Sequence, residues 1–257
     1  MSRSSEEWDQ RTSLSRWLIP TLFGLLVGGS GPARADVILF TDNFNTGVPS
    51  TQWGNERGNW AAGGNVYRAG ILSTSPPTYT GLNDTNGNDL VLTDFAIDVD
   101  VQDLQDGGIW LRSNFNGNKV SGVLLVLGGL SSTGTGLYWH ILNDDVYAQG
   151  QDFVFGLFTP GVSDPHIRVE VTGNTYSAFV NGSVIPATTL TTAAFASGTV
   201  GLYDNDIYEP GVNAHSFDNF VLSVPSPVPE PASLLLLIGA AAGYGWRKRR
   251  AAVSRAA

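Results

Sequence analysis

Residues 167–185 decide the fold class, and they read IRVEVT (167–172), GN (173–174), TYSAFV (175–180), NG (181–182) and SVI (183–185). Apolar and polar residues alternate in both hexamers, as they do in β-strands with one buried face. Gly173-Asn174 and Asn181-Gly182 combine residue types that tolerate positive φ, so they predict tight turns between antiparallel strands. The stretch therefore predicts an antiparallel meander whose third strand covers residues 183–185.

The same pattern extends through the middle of the chain. Residues 95–102, FAIDVDVQ, alternate strictly. One face of this strand is predicted to be core and the other to carry Asp98 and Asp100. Further strands are predicted at residues 109–112, 120–127, 137–142, 197–203 and 217–224, with turns at Gly107-Gly108 and at residues 131–136. So many short strands without an amphipathic helix predict an all-β antiparallel sandwich or jelly roll.

The N-terminus has the pattern of an export signal. An apolar segment, residues 14–29, follows a polar stretch that contains Arg3, Arg11 and Arg16, and Ala33-Arg34-Ala35 then supplies small residues two positions apart. Signal peptidase requires this small-x-small pattern. Residues 1–35 are therefore predicted to be a signal peptide, and the mature protein to begin at Asp36.

The C-terminus has three parts in sequence. Pro229-Glu230-Pro231 precedes fifteen uncharged residues, 232–246, and then Arg247-Lys248-Arg249-Arg250. The prolines disfavour helix up to residue 231. As a helix the uncharged segment would be about 22 Å long, shorter than the ~30 Å hydrocarbon layer. The basic quartet is expected to stay cytoplasmic, which places everything before Pro229 on the other side of the membrane.

Residues 228–250 resemble the bacterial PEP-CTERM sorting signal, which consists of Pro-Glu-Pro, a short apolar helix and an Arg-rich end. The resemblance implies processing by an exosortase, a membrane cysteine protease, after the protein has been tethered to the inner membrane. It then implies transfer to the cell surface, the outer envelope or an extracellular exopolysaccharide matrix. Residues 226–257 are assigned to this signal, and the alternative is a plain C-terminal membrane anchor.

Removal of both ends leaves residues 36–225, a length suited to one domain. This segment has nineteen Asp and Glu against five Lys and Arg, a net charge of -14. Nucleic acid and anionic lipid are therefore excluded as expected partners. The chain has no cysteine, so disulfides, thiolate nucleophiles and cysteine-ligated metals are excluded as well.

A second resemblance covers residues 38–224. It rests on Thr41-Asp42-Asn43-Phe44 with Trp53 and Trp60, the two hairpins of residues 168–182, the SGTVGL strand at 197–202 and Phe217-Asp218-Asn219-Phe220. These motifs resemble the concanavalin A-like lectin and glucanase superfamily, and within it the laminin G-like and 3-keto-disaccharide hydrolase groups. The resemblance implies a jelly-roll β-sandwich and a carbohydrate-related role, but no particular reaction.

The candidate site for carbohydrate is formed by Asp98, Asp100, Trp110 and Arg112. Asp98 and Asp100 share one strand face, and Trp110 and Arg112 alternate on the next predicted strand, so the four are expected to line one surface. Three interpretations remain: a solvated strand face, hydrogen bonding to carbohydrate, and hydrolysis by paired carboxylates. The laminarinase-like members carry Glu-x-Asp-x-Glu on such a strand, whereas this chain has Asp98, Asp100 and Gln102 at the corresponding positions.

Calcium is the metal that the available oxygen ligands suit. The second resemblance implies a structural calcium ion where the first and last strands meet, with Asp218 as the closing aspartate and Asp42 beside it. Two loops, residues 83–89 and 204–209, have oxygen-rich compositions that turn formation also explains. His140, His166 and His215 lie in separate segments without metal-ligand spacing and are interpreted as structural or solvated.

The sequence thus predicts an exported surface or matrix protein with signal peptidase and exosortase as processing partners. Its sandwich is expected to bind extracellular polysaccharide or to act structurally. The alternative is a secreted glycoside hydrolase of the same fold.

Overall fold

The computed structural model of the protein describes residues 36–69, 78–102, 104, 106–116, 119–128, 136–159, 162–204 and 215–226, apart from the side chains of residues 148–152. These residues form fifteen strands and no helix. The strands are β1 (Asp36–Asp42), β2 (Trp53–Arg57), β3 (Trp60–Gly63), β4 (Val66–Ala69), β5 (Thr78–Leu82), β6 (Phe95–Gln102), β7 (Gly107–Asn116), β8 (Lys119–Gly128), β9 (Gly136–Asn143), β10 (Val146–Val154), β11 (His166–Thr172), β12 (Thr175–Val180), β13 (Thr188–Thr191), β14 (Thr199–Asp204) and β15 (Ser216–Pro225). The predicted signal peptide and the sorting segment from residue 227 onward lie outside the described residues.

Two antiparallel sheets make up the domain. The eight-stranded sheet has the order β13-β12-β11-β6-β15-β4-β3, with β1 also paired to β15. The seven-stranded sheet has the order β10-β9-β8-β7-β14-β5-β2. One hydrophobic cluster contains side chains of both sheets, among them Val99 of β6 and Leu125 of β8. The all-β sandwich predicted from the sequence is therefore confirmed.

The side chains of β6 are alternately buried and partly exposed, as the sequence predicted. Ile97, Val99 and Val101 are fully buried in the cluster between the sheets. Asp98 and Asp100 are partly exposed on the opposite face. The strict period of two therefore identified the core face of this central strand.

The seven-stranded sheet is apolar on both faces. In β8, Leu125 and Leu127 belong to the cluster between the sheets, whereas Leu124 and Val126 belong to a second cluster on the other face. A continuous apolar run is typical of a strand that is buried on both sides. The buried members of the second cluster all come from this sheet, and they are Tyr79, Trp110, Phe115, Val120, Leu124, Val126, Tyr138 and Tyr203.

The predicted strand at residues 183–185 is wrong, although the turn before it forms as expected. Asn181 and Gly182 have φ values of 51° and 72°. The Ser183 side chain then bonds locally to Ile185, whose side chain is 73% exposed. Pairing with β12 resumes only at Ala187, so β13 begins at Thr188.

Gly107-Gly108 was predicted to be a turn, and this prediction is also wrong because both residues lie in β7. A Cβ atom on Gly108 would lie 2.1 Å from the carbonyl oxygen of Leu125. One on Gly107 would lie 2.4 Å from the His215 ring. Glycine is required here by the close approach of neighbouring atoms and not by a reversal of the chain.

Candidate functional site

A groove lies on the outer face of the seven-stranded sheet, over the second hydrophobic cluster. Its cavity has a volume of about 520 Å³, which is within the range typical of small-molecule sites. Strands β2, β5, β7, β8, β9, β10 and β14 all contribute side chains to its lining. The curved sheet thus provides one continuous surface with aromatic, aliphatic and a few charged groups.

A row of rings follows β9 and β10 along the groove. Phe153 stacks on Tyr138 with ring centroids 4.7 Å apart and an interplanar angle of 23°. The centroid of the His140 ring lies 5.1 Å from that of Tyr138 and 4.8 Å from that of Tyr147. Alternation along β9 places Tyr138 and His140 on the same face, two residues apart. Aromatic faces of this kind present flat apolar surface with polar hydroxyl edges.

The floor of the groove is formed by β7, β8 and β14. Trp110 is 2% exposed, and its ring packs edge to face against Tyr203 with the ring centroids 6.1 Å apart. Leu124 is the direct partner of Trp110 across the β7–β8 pair. In the part of the chain that the structure describes, Trp110 Nε1 has no hydrogen-bond acceptor.

An ion pair in the groove lining joins Arg57, at the end of β2, to Asp145, in the turn between β9 and β10. Arg57 of β2 donates from Nη1 to Asp145 Oδ2 at 2.9 Å and from Nη2 to Oδ1 at 3.3 Å. Asp145 also accepts a hydrogen bond from the backbone N–H of Val120 at 3.1 Å. The guanidinium lies 4.7 Å above the Tyr79 ring. Both charged groups are therefore positioned by several contacts.

Burial determines the ionisation of two groups in the groove. It lowers the pKa of His140 to about 4, so this imidazole is neutral at pH 7. It also raises the pKa of the Tyr79 hydroxyl, an effect that Arg57 opposes. Tyr79 therefore remains a neutral hydrogen-bonding hydroxyl under ordinary conditions.

Carboxylates are scarce in the groove. Asp106 and Asp145 are the two in the described lining, and Asp145 is bound by Arg57 through both of its oxygens. The lining residues of β7, β8 and β9 include no carboxylate among those described. Glycoside hydrolysis by the usual route needs two carboxyl groups on either side of the scissile bond. The described floor of the groove does not provide such a pair.

Asp98 and Asp100 lie on the eight-stranded sheet, on the opposite side of the sandwich from the groove. Asp98 accepts a hydrogen bond from Arg168 at 2.5 Å, and His166 Nδ1 lies 2.7 Å from Asp100 Oδ1. The Asn219 side chain donates to the other Asp100 oxygen at 2.8 Å. The aspartates are thus part of a polar network on a half-exposed strand face.

The expectation that Trp110 and Arg112 share a surface with these aspartates is wrong. Trp110 lines the groove, whereas Arg112 is buried and donates to the carbonyl oxygens of Thr93, Gly173 and Phe195 at 2.6–3.0 Å. Arg112 has a φ of 45°, and the β7–β8 register shifts after Leu111. This bulge breaks the alternation on which the expectation was based.

The two residues predicted to bind calcium have other contacts. Asp42 Oδ1 accepts from the N–H of Phe44, and Oδ2 accepts from the N–H of Ser50 and from Trp53 Nε1, at 2.8–3.1 Å. Asp218 Oδ1 accepts from the N–H of Asn219. Three N–H groups directed at one carboxylate fit a turn anchor better than a cation ligand. Among the described residues, no group of three or more His, Asp or Glu could hold a metal ion.

The loop at residues 83–89 forms as turn chemistry predicts. Asp84 Oδ1 accepts from the N–H groups of Asn86 and Asn88, at 2.8 and 2.9 Å. These hydrogen bonds lower the pKa of Asp84. Of the second loop, the described part ends at Asp204.

Several groove residues were not identified as site residues from the sequence. Tyr138 and His140 lie in a strand that is apolar on both faces, so its pattern did not indicate which face was open. Arg57 and Asp145 are 88 positions apart, and no local motif links them.

Comparison with protein families decides the nature of the C-terminus. Residues 227–250 match the family model described as the PEP-CTERM protein-sorting motif. The chain carries a PEP-CTERM sorting motif. The resemblance predicted from Pro229-Glu230-Pro231 and the basic quartet is thereby confirmed, and the motif indicates an exported protein that is sorted via the membrane.

Solved structures share the fold of the domain. The kappa-carrageenase from Pseudoalteromonas carrageenovora matches with a TM-score of 0.50 at 9% identity, over 81% of this chain and 99% of that one. An endo-β-galactosidase from Clostridium perfringens also has a TM-score of 0.50, at 9% identity over 74% of this chain and 62% of its own. The carbohydrate-binding module CBM66 from Bacillus subtilis matches with 0.49 at 13% identity, over 67% and 96%. At such identities the likeness to the two enzymes shows the jelly-roll β-sandwich fold alone.

Comparison with curated proteins finds no match to this chain. Within the described residues, no helix has the length and apolar character needed to cross a bilayer. The apolar segment 232–246 lies outside those residues.

Proposed function

We propose that this protein is an exported carbohydrate-binding protein whose ligand lies in the aromatic groove of the seven-stranded sheet. The observation that carries the proposal is the row of Phe153, Tyr138, His140 and Tyr147 beside the buried Trp110. Sugar rings expose C–H faces that pack on aromatic rings, and hydroxyls that bond to polar groups at the ring edges. A groove with both kinds of surface suits an oligosaccharide.

The same groove favours binding over hydrolysis. Its described carboxylates are Asp106 and Asp145, and the second is bound by Arg57. A hydrolase would need one carboxyl group as acid and another as nucleophile or base. We therefore expect retention of polysaccharide without cleavage. A purely structural matrix protein would retain none.

We further propose that the precursor is tethered at one edge of the domain. Asp36 and Pro225 are direct partners in the β1–β15 pair. Cleavage by signal peptidase after Ala35 and processing by an exosortase near Pro229 would thus act on chain ends that emerge side by side. The mature domain would then be delivered to the cell surface, the envelope or an extracellular polysaccharide matrix.

Calcium remains a prediction. The N–H groups that bind Asp42 would have to be displaced or shared for a cation to bind there. Ligand retention should therefore be measured both with calcium and with chelator.

The test is a polysaccharide pull-down and glycan-array screen of residues 36–226, which contain all the described strands of both sheets. Released reducing sugar is assayed in the same samples. Retention without release supports the proposal. Release of reducing sugar would instead establish a hydrolase, and the absence of both signals would favour the structural role.

A further inference from the structure

We propose that the groove selects acetylated sugars, whose acetyl carbonyl accepts a hydrogen bond from Trp110 Nε1 while the acetyl methyl packs on Leu124 and Val126. This inference rests on the proposed carbohydrate-binding function and adds the chemical class of the ligand. It applies to N-acetyl and O-acetyl groups alike, because both combine a carbonyl oxygen with a methyl group.

The first observation is the missing acceptor for Trp110. Buried tryptophan N–H groups usually have a partner, and an unsatisfied buried donor is costly. Trp139 donates to Thr188 Oγ1 and Trp53 donates to Asp42 Oδ2, both at 3.1 Å. Trp60 Nε1 also has no acceptor among the described residues, but Trp60 is not part of the groove lining. Among the described residues, Trp110 is the one tryptophan that combines an unpaired buried Nε1 with a position in the groove lining, so a ligand oxygen that reaches Nε1 would supply the missing acceptor.

The second observation is the aliphatic surface around this donor. Leu124 lies opposite Trp110 in the β7–β8 pair, and Val126 lies opposite Tyr138 in the β8–β9 pair. Both line the cavity, together with Val120 and Leu142. A sugar hydroxyl placed against this surface would lose its hydrogen bonds to water without replacement. An apolar group of the ligand is therefore favoured next to the indole.

The third observation is the charge of the groove. Arg57 is bound by Asp145, and burial lowers the pKa of His140 to about 4, so neither provides a free cation at pH 7. Asp106 is also in the lining. Uronates and sulfated sugars would bring negative charge without a partner cation among the described lining residues. A deoxy sugar has the methyl group but no adjacent carbonyl, whereas an acetyl substituent satisfies all three conditions.

The experiment compares matched neutral ligands with and without an acetyl-bearing substituent. Chitohexaose and cellohexaose are both neutral and differ at C2, acetamido against hydroxyl. Acetylated glucomannan and its alkali-deacetylated form test the O-acetyl source. Calorimetric titration of residues 36–226 should give at least one acetylated ligand that binds more tightly than its matched partner.

Two groove variants test which side chains cause the preference for acetylated ligands, and a third variant serves as the control. Trp110→Phe retains a ring and removes the donor, so the preference for the acetylated ligand should fall about five- to tenfold. Val126→Thr has nearly the same shape and places a hydroxyl in the aliphatic surface, and it should reduce the same preference. Trp139→Phe makes the identical indole change in the core and should leave the preference unchanged.

The outcomes separate this inference from the proposed function. Equal affinity for both members of each pair, with Trp110→Phe like the wild type, would overturn acetyl selection and leave carbohydrate binding in place. Failure to bind any glycan on the array would overturn both. A preference that Trp139→Phe abolishes as fully as Trp110→Phe would show that the groove indole is not responsible.

Discussion

Arg57 and Asp145 form a two-point ion pair between the two edges of the seven-stranded sheet. Arg57 ends β2, one edge strand, whereas Asp145 lies in the turn before β10, the other edge strand. The contact brings the β9–β10 turn and the end of β2 together, and Asp145 also accepts a hydrogen bond from the N–H of Val120 in β8. The pair therefore closes the groove between strands that lie far apart in the sheet.

Removal of the carboxylate charge of Asp145 should weaken this closure. Asp145→Asn loses the ion pair with Arg57, whose side chain is 11% exposed. We expect a loss of about 1–2 kcal/mol in the free energy of unfolding, because hydrogen bonds to charged groups have about this value. Urea denaturation measures the change. The matched control is Asp144→Asn in the same turn, whose exposed carboxylate accepts a hydrogen bond from Ser121. Equal stability of the two variants would contradict the role of the pair.

Phe153 provides the most direct test of the aromatic row. It is 49% exposed and stacks on Tyr138, so its removal should affect ligand binding more than folding. Phe153→Ala should weaken glycan affinity about five- to tenfold, the effect expected for a moderately important aromatic contact. Titration with a retained polysaccharide measures the loss. Ile185→Ala removes an exposed apolar side chain from the β12–β13 turn, outside the groove lining, and should bind like the wild type. A similar loss in both variants would argue against the groove.

The fully buried His215 makes stability depend on pH. Burial lowers its pKa to about 3, whereas the unfolded chain takes up the proton near pH 6.5. The unfolded state therefore binds more protons between these values, and stability falls as the pH decreases through this window, by up to about 1.4 kcal/mol per unit. His140 acts in the same direction, with a pKa of about 4. Urea titrations at pH 7 and pH 5 should show a smaller pH effect for His215→Gln than for the wild type. An unchanged effect would exclude His215 as the cause.

Asp98 and Asp100 should be dispensable for ligand binding. Both lie on the sheet opposite the groove and contact Arg168 and His166 there. Asp98→Asn together with Asp100→Asn should leave glycan affinity unchanged. The cost in stability should be below about 1 kcal/mol, because pairs at half-exposed positions contribute little. Loss of glycan binding in this variant, with folding intact, would show that the ligand binds on the eight-stranded sheet instead.

Asp42 is expected to stabilise the fold as an acceptor of N–H groups. Asp42→Ala leaves the N–H groups of Phe44, Ser50 and Trp53 without their acceptor. The melting temperature should therefore fall by the same amount in calcium and in EDTA. A stabilisation by calcium that occurs in the wild type and disappears in Asp42→Ala would instead establish the calcium site.

The sequence predicted the fold where local pattern and burial agree. β6 alternates strictly, and its apolar face is the core face. The C-terminal motif could be identified because its three parts follow one another directly in the chain. The extra strand predicted at residues 183–185 failed because Ser183 bonds locally and delays the pairing.

The groove could not be predicted in the same way. Residues 137–142, LYWHIL, are almost uniformly apolar, so their pattern does not separate the groove face from the core face. The alternation of its neighbours predicted that Arg112 would share a face with Trp110. A bulge with a positive φ instead directs the Arg112 side chain to three backbone carbonyls. Sheet curvature and bulges depend on contacts between distant strands, which local patterns do not encode.

Carbohydrate binding on the seven-stranded sheet can be tested by a side-by-side titration of a retained polysaccharide into the wild type, Phe153→Ala and the Asp98→Asn, Asp100→Asn double variant. If the ligand lies in the groove, Phe153→Ala alone should have a weaker affinity. Wild-type affinity in Phe153→Ala together with lost binding in the double variant would contradict binding in the groove.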